Sequence, residues 1–295
     1  MGVSSRRTVL AVVAGGLLAG CSGGGSARPS GEAKSIPAAP AAPSASATPS
    51  PGASAPAAGA PSRAEIVARY GKQAPTSWGL TVPGALSRLP GDGKTAALTF
   101  DACGGKGGSD YDSALIDFLR ERKVPATLFL NSRWIDENPS VFKQLAADPL
   151  FEIANHGTRH LPLSVSGRSA YQIPGTRNAG EVYDEVSGNR AKLTGLLGHP
   201  PRFFRSGTAY CDDVAAKIVT DLGERFASFD VNGDGGATFT PAQVEQAMRA
   251  VRPGSVVIGH MNHPHGGTAK GMRAAVPQLL DRGYRFVRLS DAVNA

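Results

Sequence analysis

Seven short apolar runs of β-type composition, separated by polar or amphipathic stretches, constrain this chain more than any other feature. They occupy residues 96–100, 127–130, 151–154, 202–204, 225–229, 255–258 and 285–289, and are rich in Val, Ile, Phe and Thr. Buried parallel strands read this way, because helices cover both of their faces. Residues 114–122, 213–222, 241–251 and 271–282 have amphipathic helical character, and Gly223 and Gly283 stand where helices commonly end. Strand and helix in alternation predict an α/β fold. Alternation alone leaves a barrel and an open sheet both possible. The polar residues favour the barrel: Asp101, His156, Arg205, Asp230 and His260 each follow a different apolar run. The C-terminal ends of parallel barrel strands form one rim, where residues distant in sequence meet.

The first 63 residues lie outside this pattern. Arg6 and Arg7 precede an apolar run over residues 9–19, about half of what a membrane-spanning helix needs. Residues 1–20 are therefore read as a signal peptide, with the arginine pair pointing to twin-arginine export. The run ends in Leu18-Ala19-Gly20-Cys21, which resembles the lipobox of bacterial lipoproteins and implies a lipid anchor at Cys21 on the outer face of the cell membrane. From Ser22 to Arg63 every residue is Pro, Ala, Ser or Gly except Arg28, Glu32, Lys34, Ile36, Thr48 and Arg63. Such a segment cannot bury enough apolar surface to offset its ordering entropy, so residues 21–63 are expected to be a disordered tether reaching into the cell wall. Residues 64–93 form a lead-in, and 94–295 the main domain. Of 31 basic and 24 acidic residues, five and one lie in the first 63 positions; 26 against 23 remain. That near balance, with no Lys/Arg block, gives a nucleic-acid partner no support.

Five of the six histidines fall in two of the strand-end loops: His156 and His160, then His260, His263 and His265; His199 sits beside a proline. His156 and His160 are four apart, a spacing that on a helical turn would put two imidazoles on one face as metal ligands. Asp101 suits a general base or a structural cap. Arg205 needs a partner, and pairing with Asp101 would satisfy it and orient the carboxylate. His260 is placed to protonate a leaving amine, with Asp230 or Asp234 orienting it. In an exported protein the two cysteines besides Cys21 usually pair. A Cys103–Cys211 disulfide is the preferred reading, and Cys103 as a metal-ligating thiolate the alternative. Asp230, Asn232 and Asp234 copy half of a calcium loop whose twelfth position is Pro241 rather than an acid. Trp134 is open to two readings, stacking on a sugar ring or packing beneath its loop.

Thr99-Phe100-Asp101, Asn155-His156-Gly-Thr-Arg-His160, Phe204-Arg205, Asp230 and Val257-Ile258-Gly-His260 together resemble the five ordered motifs of the polysaccharide deacetylase superfamily (carbohydrate esterase family 4, NodB-like), over about residues 94–290. The resemblance implies a distorted (β/α) barrel of about seven parallel strands and a metal-dependent hydrolase removing N-acetyl groups from amino sugars of a cell-envelope glycan, peptidoglycan or chitin-like. It further implies a divalent metal, zinc first among the candidates, on His156 and His160. Asp101 would be the base, His260 the acid, Arg205 the residue positioning Asp101, and Asp230 the residue tuning His260. The chain departs from the pattern at Ala102, where the family carries an aspartate that is the third metal ligand. Cys103, His263, His265, Asp212 and Asp213 stand as candidates to supply that ligand. The departure also motivates a second expectation, a non-catalytic glycan-binding lipoprotein on a degenerate scaffold. A third is O-acetyl esterase action at the same site.

Overall fold

The computed structural model describes residues 59–293. The expected signal peptide, the lipobox at Cys21 and all but the last five residues of the expected tether lie outside the described residues. In chain order the elements are α1 (Arg63–Tyr70), β1 (Trp78–Gly79), β2 (Thr95–Ala102), α2 (Ser113–Glu121), β3 (Ala126–Leu130), α3 (Ser132–Glu137), α4 (Pro139–Ala146), β4 (Phe151–Asn155), α5 (Ala179–Leu197) and β5 (Phe203–Phe204). They continue with β6 (Cys211–Asp212), α6 (Asp213–Asp221), β7 (Arg225–Phe226), β8 (Val231–Asn232), α7 (Pro241–Met248), β9 (Val256–His260), α8 (Thr268–Asp281), β10 (Arg285–Phe286) and α9 (Leu289–Ala292).

Seven parallel strands run in the order β7-β5-β4-β3-β2-β9-β8 and curl into a half-barrel, with β10 added in parallel at the start of β2. Central β2 is buried at every position after Thr95, which is why its sequence does not alternate between apolar and polar but is mainly apolar, broken by Thr99 and Asp101. All seven apolar runs contribute strand. Two-residue β8, too short for a periodicity signal, and the antiparallel pair β1–β6 come only from the structure. The lead-in has a definite place. Leu86 bridges to Ala227 after β7, and Arg88 bridges to Ser255 before β9, so this segment lies between the two flanks of the curled sheet. Leu86 and Leu89 join Ala97, Phe129, Ala154, Phe203 and Val256 in a core on the concave side. A second core packs β-strand side chains against α2, α4, α7 and α8, and a third lies beneath α1, α5 and α6. Each fully buried Leu, Ile or Phe in these layers contributes about 1.5–3 kcal/mol.

The helix ends follow local chemistry. Ser62 and Glu65 form a capping box at α1, Asp112 caps α2 and Asp212 caps α6. Gly223 and Gly283, after α6 and α8, hold φ of 81° and 83°, values that glycine adopts without strain. The register then fixes the site. Asp101 on β2 is the direct neighbour of His260 on β9, and Asn155, the residue before His156, is the neighbour of Phe204, the residue before Arg205. Four of the residues singled out from sequence thus emerge at one end of one sheet.

Candidate active site and metal centre

Asp101 is buried at the end of β2, and its Oδ1 accepts a 2.7 Å bond from Arg205 Nη1. Arg205 has no exposed surface. Its Nε and Nη2 donate to the carbonyls of Ala227 and Ser228 at 3.2 and 3.1 Å, and its guanidinium carbon lies 4.1 Å from the Phe129 ring centroid. With its Nε and Nη2 tied to backbone carbonyls, the arginine presents Nη1 to one carboxylate oxygen of Asp101, while Oδ2 lies 3.6 Å from His156 Nε2.

His156 Nδ1 donates to the Arg205 carbonyl at 3.0 Å, which fixes the tautomer and turns the Nε2 lone pair toward Cys103 Sγ, 3.8 Å away. His160 does not reach this place on a helical turn, as its spacing predicts. Residues 156–160 form a loop in which Gly157 and His160 have φ of 78° and 65°, and the two imidazoles meet edge to face at 4.9 Å between centroids. What imposes that loop is Glu185 on α5, a residue absent from the sequence reading. Its fully buried carboxylate accepts from the backbone N–H groups of Arg159 (3.0 Å) and Leu161 (3.2 Å), the two residues flanking His160. Burial pushes the Glu185 carboxyl up despite these bonds.

The expected Cys103–Cys211 disulfide is not formed: both thiols are free. Cys211 is buried in β6, where its Sγ donates to the Asp212 carbonyl, and burial raises its pKa well above the usual thiol range. Cys103 has gone the other way, into the histidine pair. One ligand atom each from Cys103, His156 and His160 lie within 4.8 Å of one another. Burial opposes ionisation of Cys103, but the neighbouring imidazoles of His160, His156 and His260 outweigh it and hold the thiol well below its ordinary pKa. These residues fit a divalent metal on an observation of their own: His160 Nε2 is buried with no hydrogen-bond partner, and such a nitrogen is costly unless something binds it. A Cys-His-His donor set suits zinc. Among the other ligand candidates, Asp212 caps α6 and Asp213 accepts from the backbone of Thr76 and Ser77. Neither these two nor His263 and His265 belong to the cluster.

His260 lies opposite. Its Nδ1 is 3.0 Å from Asp234 Oδ1, and its backbone N–H donates to Asp234 Oδ2 at 2.6 Å. Asp234, not the expected Asp230, is therefore the carboxylate in contact with His260. Asp230 accepts from Ser255 Oγ (3.0 Å), Val256 N (2.9 Å) and Arg88, which places it at the base of β9 as a brace for the lead-in. The physical reason is the short β8 between them: it carries the chain up the sheet, so that the acid four residues later reaches the rim. Asp234 is further held by Thr268 Oγ1 at 2.9 Å. Burial disfavours the imidazolium of His260, but the Asp234 charge and hydrogen bond overcome this and raise its pKa well above the usual histidine value. Burial likewise opposes ionisation of Asp234, yet the His260 charge and hydrogen bond hold its carboxyl below the usual range. With Asp230 and Asp234 both committed, the calcium-loop reading loses its ligands. Trp134 is fully buried, with Nε1 donating to the Asp110 carbonyl at 2.9 Å, so it packs rather than faces a ligand.

Asp101 and His260 open onto a cleft of about 410 Å³ that is also lined by Tyr171, Ile173, Thr208 and Phe229. A larger groove of about 690 Å³ on the outer helices, lined by Ile135, Phe142, Lys192 and Leu196, contains none of the strand-end residues.

An α/β half-barrel carrying an arginine-fixed carboxylate and a carboxylate-backed imidazole on adjacent strands, beside a Cys-His-His cluster, belongs to the class of scaffolds built for hydrolytic acid–base chemistry. Residues 88–227 match the polysaccharide deacetylase family, which this chain resembles in sequence and fold. Among its relatives, a peptidoglycan-N-acetylglucosamine deacetylase of Bacillus cereus is 25% identical over 212 residues, covering 70% of this chain and 91% of the relative. A chitooligosaccharide deacetylase of Bradyrhizobium is 25% identical over 187 residues, covering 58% and 80%. In three dimensions the chain resembles a family 4 carbohydrate-esterase pseudoenzyme from Bacillus anthracis, with a TM-score of 0.61, 22% identity and coverage of 72% and 70%.

Proposed function

We propose that the protein is a metal-dependent hydrolase that removes N-acetyl groups from amino sugars of a cell-envelope glycan, peptidoglycan or chitin-like. The observation that carries this reading is the register pairing of Asp101 with His260, which sets a base and an acid side by side on one cleft. Cys103, His156 and His160 would hold the metal, with the thiolate taking the part that Ala102 cannot. A divalent ion there supplies Lewis-acid polarisation of the amide carbonyl.

The protein's own groups do the rest. Arg205 holds Asp101 Oδ1, leaving Oδ2 to take a proton from the attacking water. The water oxygen bonds to the acetyl carbon, and the C–N bond then breaks. Its electron pair leaves with the nitrogen, which receives a proton from His260. Asp234 orients that imidazole and favours its protonated form, as an acid poised for a leaving amine requires. Acetate and a free amine are the products. The carboxylate–imidazole geometry is the same for an amide or an ester, so amide and O-acetyl substrates are to be compared directly. Cys21 would anchor the domain outside the cell membrane, a reading checked by lipid labelling that Cys21→Ala abolishes.

The test is acetate release by the purified, zinc-loaded protein from N-acetylglucosamine oligomers and from peptidoglycan. Release that stops with chelator and is lost in Asp101→Asn supports the proposal; no release across several divalent metals and both substrates refutes it. Ala102 favours a second reading, a glycan-binding protein without turnover. Good oligomer binding with no acetate release from metal-loaded protein would establish it.

A further inference from the structure

Few large apolar or aromatic residues of the described chain are exposed; Tyr171 is among them, at 69% exposure. It sits at the tip of a hairpin closed by the Ala170–Ile173 bridge, whose two hydrogen bonds measure 3.2 and 2.9 Å. The two central residues, Tyr171 and Gln172, have φ of 51° and 64°, the left-handed pair of a two-residue turn in which asparagine and glycine are the usual occupants. Side-chain-bearing residues in that region are strained by about 1–2 kcal/mol each. An exposed ring recovers little of this through burial, so folding gives no account of a tyrosine here. Strain of this kind concentrates where a surface contacts a ligand.

The surroundings say which ligand. Tyr171 lines the same cleft as Asp101 and His260. Its ring meets Tyr210 edge to face, 5.4 Å between centroids at 90°, and Tyr210 in turn rests 5.7 Å from Trp78 on β1. That contact orients the Tyr171 ring, which at 69% exposure still presents aromatic surface for a ligand. An aromatic face carries negative quadrupole charge and attracts the C–H groups along the apolar face of a pyranose. Ile173 and Phe229 continue the apolar side of the cleft.

We propose that Tyr171 is a stacking platform for a sugar ring other than the one at Asp101 and His260, so that the cleft selects oligomeric glycan over a single sugar. This rests on the glycan reading above. The experiment is calorimetric titration of the chelator-treated protein, which does not turn substrate over, with N-acetylglucosamine and its hexamer. Tyr171→Ala should weaken hexamer binding about five- to tenfold, Tyr171→Trp should restore it, and binding of the single sugar should change by less than about twofold in either variant. Hexamer affinity unchanged in Tyr171→Ala, or an equal loss for both ligands, overturns the platform and leaves the hydrolase reading standing. A parent protein that binds no hexamer overturns the platform together with the glycan reading. Acetate release measured on the metal-loaded parent separates failure of catalysis from both.

Discussion

Replacing Arg205 by methionine should destabilise the fold by about 3–5 kcal/mol, the range found when one partner of a buried ion pair is removed. Methionine keeps part of the volume against Phe129 but has none of the donors that reach Asp101, Ala227 and Ser228. The cost arises chiefly because the Asp101 carboxylate, 3% exposed, loses the cation that compensated its desolvation. In a domain of this size each kcal/mol moves the unfolding midpoint by about 2–4 °C, so a fall of about 6–20 °C is expected. Thermal unfolding of chelator-treated protein measures it without metal linkage intruding. A second substitution sharpens the test. Asp101→Asn alone should destabilise, because it strands the buried guanidinium; added to Arg205→Met, it should restore about 1–3 kcal/mol by removing the stranded carboxylate. If the two effects simply add to within about 0.5 kcal/mol, the residues are not energetically coupled and the positioning role assigned to Arg205 is wrong.

Glu185→Gln should weaken zinc binding about 10- to 100-fold at nearly unchanged helix content, since it loosens the loop that presents His160; unchanged affinity in a competition titration would count against the clamp. Asp234→Asn should move the His260 titration, followed by NMR, to lower pH, while Asp230→Asn should leave it in place; the reverse would return the tuning role to Asp230. The pair also sets a stability window. His260, whose pKa is raised by folding, contributes fully below its unfolded value of about 6.5, and this is lost as pH rises through the folded value. Asp234, depressed by folding, contributes above about 3.9, and this is lost as pH falls through its folded value; charge-silencing Asp234→Asn should flatten both limbs. Dithiothreitol should leave the unfolding midpoint unchanged, with Cys103 and Cys211 both alkylated by iodoacetamide after denaturation without reductant; a midpoint drop equivalent to about 2–4 kcal/mol would restore the disulfide.

The strands were legible because central parallel strands are apolar on both faces, and the rim was legible because Asp101, His156, Arg205 and His260 interrupt that apolarity at strand ends. Helix α5 was not. Its buried stripe is Val182, Glu185, Val186, Asn189 and Leu193, and the two polar members break the apolar period. Those same residues serve the site: Glu185 holds the His160 loop, and Asn189 Nδ2 donates to the Leu130 carbonyl and Asn155 Oδ1. His156 and His160 do converge on one cluster, but through a loop rather than a helical turn, because a left-handed residue is invisible in an i, i+4 count. Nothing in a single sequence marks Tyr171 as strained and exposed, and residue type alone does not show that Trp134 is core. Parity in spacing cannot tell Asp230 from Asp234 either; the two-residue strand between them decides which one reaches His260.

Cobalt titration of the purified protein reports most directly on the site's unusual thiol. Binding of one equivalent should produce a near-ultraviolet thiolate-to-cobalt charge-transfer band that disappears in Cys103→Ser and persists in Cys211→Ser. One equivalent bound with no such band, or a band that follows Cys211, would contradict a Cys103-His156-His160 centre.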